Sequence, residues 1–374
     1  MEEDLIYIRR KLHEHPELGF EEGWTSNFIA ENLSSLGLDV ETHIARTGIV
    51  ALVRGKNPML PAIGYRADMD ALPVKEMTGL PFASQNGCMH ACGHDIHMTV
   101  ALGVARYFAS HQPRRNIAFV FQPNEEGAPG ELPSGAQAMC EAGVIERYNI
   151  VNMFALHVDP TLPTGRLGVC SGALWAASGR FAVSVVGQAG HAAYPARSHD
   201  ALLAASQMIN DIYLCKARQR PADDEVLSIC KFKAGDAFNV IAENALFEGI
   251  VRAPSRTHLA RLFDIIKSVS SSVDIQFQTH SDVATFYGAL PVVNDKAIAD
   301  FARKTWGEQA VEVKMTMASE DFSHFSSKIP SFFAMLGVNP GTDSLPPLHA
   351  STFFADENAI NVGVQAMCEL LEQM

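Results

Sequence analysis

Four short apolar runs, at 48–54, 61–67, 116–122 and 151–158, are separated in their later part by helical patterns such as 98–110 and 135–142. This alternation narrows the fold more than any other feature of the chain. Strands that alternate with helices build a mostly parallel sheet covered on both faces, so an α/β domain is expected. In such sheets ligand sites gather beyond the carboxyl ends of the strands, and Asp68, Glu125, Glu126 and His157 are expected there. Helices over 4–15 and 21–36, with Pro16 and Gly19 between them, precede the first run.

The middle third has a different rhythm. A strand at 180–186, a helix at 199–216, strands at 226–233 and 245–251, a helix at 257–271 and a strand at 273–279 follow one another. That order, β-α-β-β-α-β, is the ferredoxin-like arrangement, compact enough to fold as an insert. Its limits are expected near 176 and 285, leaving 1–175 and 286–374 as one interrupted α/β domain. The α/β pattern resumes with a helix near 297–305, a strand at 332–336 and a closing helix from 356. A chain of 374 residues, 47% of them hydrophobic, suffices for two cores.

The chemistry is concentrated in His90-Ala91-Cys92-Gly93-His94-Asp95-Ile96-His97, where five ionisable residues fall within eight positions. On an extended segment Cys92 and His94 would point the same way and reach one metal ion, with Gly93 removing any side chain that would crowd it. Glu126, His157 and His349, each placed after an apolar strand, are also of ligand type. A structural zinc site would want closed Cys and His coordination, whereas carboxylates share this set and one glutamate is left over. Of the pair Glu125-Glu126, one carboxylate can ligate while its neighbour takes a proton from a metal-activated water and passes it to a leaving amine. Asp68, closing its strand, can accept a hydrogen bond from a ligating histidine and fix its tautomer. Thiolate and imidazole favour zinc, and imidazole with carboxylates also accepts manganese, cobalt or nickel.

Charge excludes other classes. The net charge of -13 argues against nucleic acid or an anionic membrane as partner. The start Met1-Glu2-Glu3-Asp4 is acidic where a signal peptide is basic, and no apolar stretch reaches the roughly 18 residues of a membrane span, so a cytoplasmic protein is expected. Seven scattered cysteines without CxxC spacing argue against a disulfide framework.

Taken together, IRRKLHEHPELGFEE, YRADMDALPV, MHACGHDIHMT, FVFQPNEEG, ALHV, GQAGHAAYP, NVIAENA and the late LHAS resemble the M20 metallopeptidase family over essentially the whole chain. They resemble its amidohydrolase branch, with aminoacylase-like, hippurate-hydrolysing and auxin-conjugate-hydrolysing members. The resemblance implies two divalent metal ions per subunit held by Cys92, His94, Glu126, His157 and His349, with Glu125 as general base and acid and Asp68 as supporting acid. It makes the insert a lid and dimerisation domain on which His191 stabilises the oxyanion while Asn239 and Arg252 hold the substrate carboxylate. A homodimer through the insert and a small N-acyl amino acid as substrate are therefore expected. The HDIHMTVALG and GLPFAS stretches point, within the branch, to deacetylation of N-acetyl-LL-diaminopimelate in lysine biosynthesis. The rivals are a broad N-acyl-amino-acid or hippurate hydrolase and, from another class, a catalytically silent binding protein, against which the retained Glu125 speaks. Two positions depart from the branch: Asn124 stands where alanine is usual, and Ala242 where proline is.

Overall fold

The computed structural model describes residues 2–127, 132–218 and 224–374. They form two compact units: Met1–Gly172 with Val293–Lys314 and Asp321–Met374, and Ala173–Val292 with Met315–Glu320.

In the first unit an eight-stranded sheet runs in the order Asp39–Ile44, Gly48–Val53, Ile117–Gln122, Ala62–Asp68, Ile150–Pro163, Ser331–Asn339, Leu167–Val169 and Ala310–Glu312. Its four central strands, from Ile117–Gln122 to Ser331–Asn339, are mutually parallel, and the first two strands are antiparallel. Every residue of Ile117–Gln122, Ala62–Asp68 and Ser331–Asn339 is buried, which is why these strands read as unbroken apolar runs without alternation. The helices Glu2–Glu14, His94–Ser110 and Ala359–Glu372 pack together, and Leu5, Val100, Val104 and Ile360 belong to one core with Phe119, Phe154 and Leu336 of the sheet. The parallel register sets Asp68 beside Gln122 and His157 beside Met335, so chemistry-bearing side chains from distant sequence reach the same end of the sheet.

Three expectations need correction here. The helix expected at 98–110 begins at His94, so Cys92 and His94 do not share an extended segment. His157 lies inside the long strand Ile150–Pro163 and does not follow it. The sheet also takes in Asp39–Ile44, whose largely exposed side chains carry no apolar run to mark it.

The second unit has the order β-α-β-β-α-β. Its antiparallel sheet runs Val226–Ala234, Asn244–Ala253, Ala177–Val186, His280–Tyr287. Along Ala177–Val186 Phe181, Val183 and Val185 turn inward and Arg180, Ser184 and Val186 outward, a period of two that packs one face. The helices Ala201–Arg218 and Arg256–Phe277 contribute Ala204, Met208, Leu262 and Ile266 to that core. The strand expected at 273–279 is instead the end of the helix Arg256–Phe277, and the last strand begins at His280. Ser255 caps that helix by accepting from His258 N–H, and Leu262, Ile266, Val269 and Val273 keep its apolar face at spacings of three and four. The unit extends beyond the expected 176–285 at both ends. It also takes in Met315–Glu320, where Thr316 N–H donates to Leu174 C=O and Ala176 N–H to Thr316 C=O.

Candidate metal centre

The turn before the helix His94–Ser110 creates the convergence that strand alternation was expected to supply. Gly93 has φ +83°, and a Cβ there would lie 2.5 Å from Val158 Cγ2, so both backbone and packing require glycine. The chain doubles back at this point. Cys92 Sγ comes within 3.4 Å of His157 Nε2, and Cys92, His94 and His157 form a buried group whose ligand atoms all lie within 4.8 Å of one another.

Backbone acceptors fix the tautomers. His94 Nδ1 donates to Asp70 C=O at 2.9 Å and His157 Nδ1 to Val158 C=O at 2.8 Å, which turns both Nε2 lone pairs inward. The hydrogen bond that Asp68 is expected to accept from a ligating histidine comes instead from His97: Asp68 Oδ1 accepts from His97 Nδ1 at 2.7 Å, and Asp68 Oδ2 stands 3.7 Å from His94 Nε2. His97 Nε2 accepts from Val158 N–H at 3.0 Å, so both its nitrogens are committed and it braces the site without ligating. The buried Arg66 guanidinium donates to Asp68 at 2.6 Å, to Gln122 at 2.8 Å and to Asp321 at 2.9 Å. Although burial opposes ionisation, Arg66 and then His94 and His97 hold Asp68 well below the usual carboxylate range.

A second group shares Cys92 with the first. Cys92, Glu126 and His349 converge, and His94, Glu125 and Glu126 form a third cluster between them. Glu126 N–H donates to Asp70 Oδ2 at 2.9 Å, while His349, at φ +68°, is docked by its own N–H on Ala91 C=O at 2.9 Å. His349 Nε2 then lies 3.4 Å from Glu126 Oε1, and His94 Nε2 lies 3.9 Å from Glu126 Oε1 and 4.0 Å from Glu125 Oε2. One thiolate common to two donor sets suits two neighbouring cations.

The donors fit divalent metal. His94 Nε2 and Glu126 Oε1 are buried without a hydrogen-bond partner, an arrangement that costs free energy unless a cation takes their lone pairs. Burial disfavours protonation of His94, yet Asp68, Asp70 and Glu126 overcome it and push this histidine up to about 10, a measure of how strongly the cavity attracts positive charge. Burial raises the Cys92 thiol, reinforced by Glu126, Glu125 and Asp68, so thiolate forms as metal enters and a proton leaves.

A further buried network lies behind the helix start. Asp95 pairs with Arg9 and with His13 Nδ1, each at 2.8 Å, and His13 Nε2 meets Glu76 at 3.1 Å. Burial opposes ionisation of Glu76, but His13 and Thr78 bring it down to about 2. This brace from residues 9, 13 and 76, like the roles of Asp70, His97 and Asp321, escaped the sequence reading. Its only local trace is the concentration of charge in 8–22 and 89–99, both otherwise apolar in pattern.

Within the second unit His191 and Asn239 sit together: Gly190–His191 pairs with Val240–Ile241, and Ala192 N–H donates to Asn239 C=O at 3.1 Å. Both are exposed. His191 Nδ1 accepts from Ala193 N–H at 3.1 Å, which leaves Nε2 as the donor. Arg252, half-buried near the far end of Asn244–Ala253, donates to Ser319 Oγ, and burial lowers its pKa.

Comparison with known proteins agrees with this geometry. The profile of Peptidase family M20/M25/M40 matches residues 64–373. N-acetyldiaminopimelate deacetylase of Priestia megaterium is 35% identical over 380 residues, covering 99% of this chain and 98% of its own length. The enzyme of the same name from Bacillus subtilis is 36% identical over 372 residues, with 98% and 97% covered. A solved structure described as a dinuclear metal-binding M20 peptidase of Bacillus subtilis superposes with a TM-score of 0.86 at 32% identity, covering 100% of this chain and 98% of that one. The chain belongs to peptidase family M20/M25/M40 and is a hydrolase acting on amide bonds.

Proposed function

We propose that this chain removes the acetyl group from N-acetyl-LL-diaminopimelate, giving acetate and LL-diaminopimelate. The observation that carries the reaction class is Glu125 standing beside a buried set of ligand atoms joined through Cys92. The substrate rests on the near-complete coverage of relatives that bear that activity in their names. Bound at Cys92, His94, Glu126, His157 and His349, zinc or a similar divalent ion would supply Lewis-acid polarisation of the amide carbonyl and acidify a water. Glu125 takes a proton from the attacking water as the water oxygen adds to the carbonyl carbon. As the C–N bond breaks, Glu125 returns the proton to the departing nitrogen. His191, with Nε2 as donor, steadies the oxyanion, while Asn239 and the planar fork of Arg252 hold a substrate carboxylate.

The homodimer belongs to the same reading. Asn244 and Arg252 are eight residues apart along one strand, ~27 Å at the rise of an antiparallel strand. The His191–Asn239 pair is attached beyond the Asn244 end. One small substrate does not span both from a single copy, so a second copy is read as supplying His191 and Asn239 to the site that uses Arg252.

Acetate release from a panel of N-acyl amino acids, after zinc, manganese, cobalt or nickel is restored to apoenzyme, tests this function. N-acetyl-LL-diaminopimelate should have the highest kcat/KM. A preference for N-benzoylglycine would move the chain to the hippurate-hydrolysing side, and no turnover on any substrate would leave only the silent binding protein.

A further inference from the structure

Glu22 is a fully buried carboxylate, and no lysine or arginine pairs with it among the described residues. It occupies the N-cap position of the helix Gly23–Ser35, but its side chain makes no cap hydrogen bond. Glu17 does that work, accepting from Trp24 N–H at 3.0 Å and Thr25 N–H at 2.8 Å. Glu22 is thereby free to turn inward. Its Oε2 accepts from Thr47 Oγ1 at 2.5 Å, and its Oε1 accepts from Asn124 N–H at 2.8 Å.

Asn124 immediately precedes the two glutamates and sits at φ +51°, where few residues other than glycine and asparagine are at ease. Phe20, Ala45 and Arg46, beside Glu22 and Thr47 in sequence, are also left-handed, at φ +63°, +48° and +77°, and the Arg46 guanidinium stacks on the Phe20 ring at 4.8 Å. Ala45 and Arg46 lie in the turn between Asp39–Ile44 and Gly48–Val53, so left-handed backbone from this hairpin and from Phe20 and Asn124 gathers beside the buried acid. Gly19 closes the arrangement, since a Cβ there would lie 2.1 Å from Asn124 Oδ1.

We propose that Glu22 is a positioning residue whose hydrogen bond to Asn124 N–H holds the left-handed bend that aims Glu125, while Asp70 holds Glu126 through its N–H. The inference rests on Glu125 being the proton carrier. Two carboxylates thus brace two adjacent glutamates, one for proton transfer and one for ligation. Removing Glu22 separates those tasks. Burial raises the Glu22 carboxyl to about 7, so near neutrality it is often protonated, and glutamine can reproduce both contacts by accepting from Asn124 N–H and donating to Thr47 Oγ1.

The test compares Glu22→Ala, Glu22→Gln and, should the alanine protein fail to fold, Thr47→Val in full-length metal-loaded enzyme. Glu22→Ala should lower kcat about 30-fold with KM and metal stoichiometry within about twofold of wild type, and Glu22→Gln should restore kcat to within about threefold. Thr47→Val, which frees one oxygen of the carboxyl, should lower kcat about fivefold in the same manner. A second readout needs no turnover: in metal-free protein, hydrogen exchange across residues 119–127 should quicken in Glu22→Ala and stay protected in Glu22→Gln. Wild-type kcat in Glu22→Ala, equal losses in the alanine and glutamine proteins, or unchanged exchange would overturn the proposal. If Glu125→Gln stays active, the functional reading fails and exchange alone judges Glu22; if Glu125→Gln is dead while Glu22→Ala is unimpaired, only the positioning role fails.

Discussion

The metal-binding unit and the inserted unit hold their functional side chains in opposite ways. His94, His97, His157, Asp68 and Asp70 are all buried; His157 bonds the Val158 carbonyl of its own strand, and each of the others is tied by a hydrogen bond to another strand, turn or helix. His191 and Asn239 stand exposed at a two-residue ribbon, and the Arg252 side chain makes one hydrogen bond among the described residues. Groups that must meet a cation at fixed distances are preorganised in a low-dielectric cluster. The groups proposed to read the substrate are left reachable. Substitutions in the first unit should therefore damage chemistry and stability together or selectively by role, whereas those in the insert should change turnover or substrate preference with little effect on stability.

The largest effect expected is at Glu125. Glu125→Gln should lower kcat about a thousandfold while metal content, measured by elemental analysis, stays at the wild-type value. Parallel loss of metal and turnover would mean that the two glutamates have exchanged roles, and the contrast between proton transfer and ligation would collapse.

Next is the turn that builds the donor set. Gly93→Ala forces a Cβ into left-handed backbone and against Val158. It should cost about 3 kcal/mol of stability and part of the metal. A variant with unaltered thermal midpoint and full metal occupancy would show that the metal-binding unit is less rigidly organised than the contrast requires.

The pH dependence of stability sharpens the comparison further. Burial raises Glu22 from its ordinary 4.5 to about 7, so between these values the native protein holds a proton that the unfolded chain has released. Stability from this group is therefore greatest below pH 4.5 and declines as pH rises to about 7, by up to ~3 kcal/mol. Denaturant unfolding of metal-free wild type and Glu22→Gln should show the mutant gaining on wild type as pH rises through that window. Parallel curves would place Glu22 in a wetter setting than its burial implies.

The smallest effect belongs to the insert. Arg252→Lys should lower kcat/KM about tenfold on N-acyl amino acids with a free carboxylate, and much less on the matching amides, because lysine cannot make the bidentate contact. The thermal midpoint should barely move. An equal loss on both substrate types would make Arg252 a structural residue and remove the contrast from the side of the insert.

The sequence made the ligand types and the two-part plan legible for a physical reason: a thiolate, imidazoles and carboxylates beside apolar strands are costly to bury without a purpose. What stayed hidden were partners with no residue type of their own. The acceptor for His94 is the Asp70 carbonyl, and no side-chain pattern announces a carbonyl. The pairing of Asp68 with His97 depends on which side of the first helical turn faces the strand, and expecting extended backbone at 92–94 concealed that turn. Val269 and Val273 satisfy both helical and strand periodicity, which is how the end of Arg256–Phe277 passes for a strand. Nothing in the sequence distinguishes Glu22 from its neighbour Glu21; its inward turn follows from Glu17 taking the cap.

The interrupted sheet also sets the timing of biosynthesis. Ile150–Pro163 waits for Ser331–Asn339 as its parallel neighbour, and the donor set waits for His349 to dock on Ala91. The inserted unit is synthesised between them and has a core of its own. A growing chain can therefore complete the insert while the metal-binding sheet still lacks an interior strand, leaving the edge of Ile150–Pro163 open to pairing with other chains during translation. Chains that stall before residue 349 would carry Cys92, His94 and His157 without the histidine that completes the second donor group, so that group can form only after residue 349 has left the ribosome.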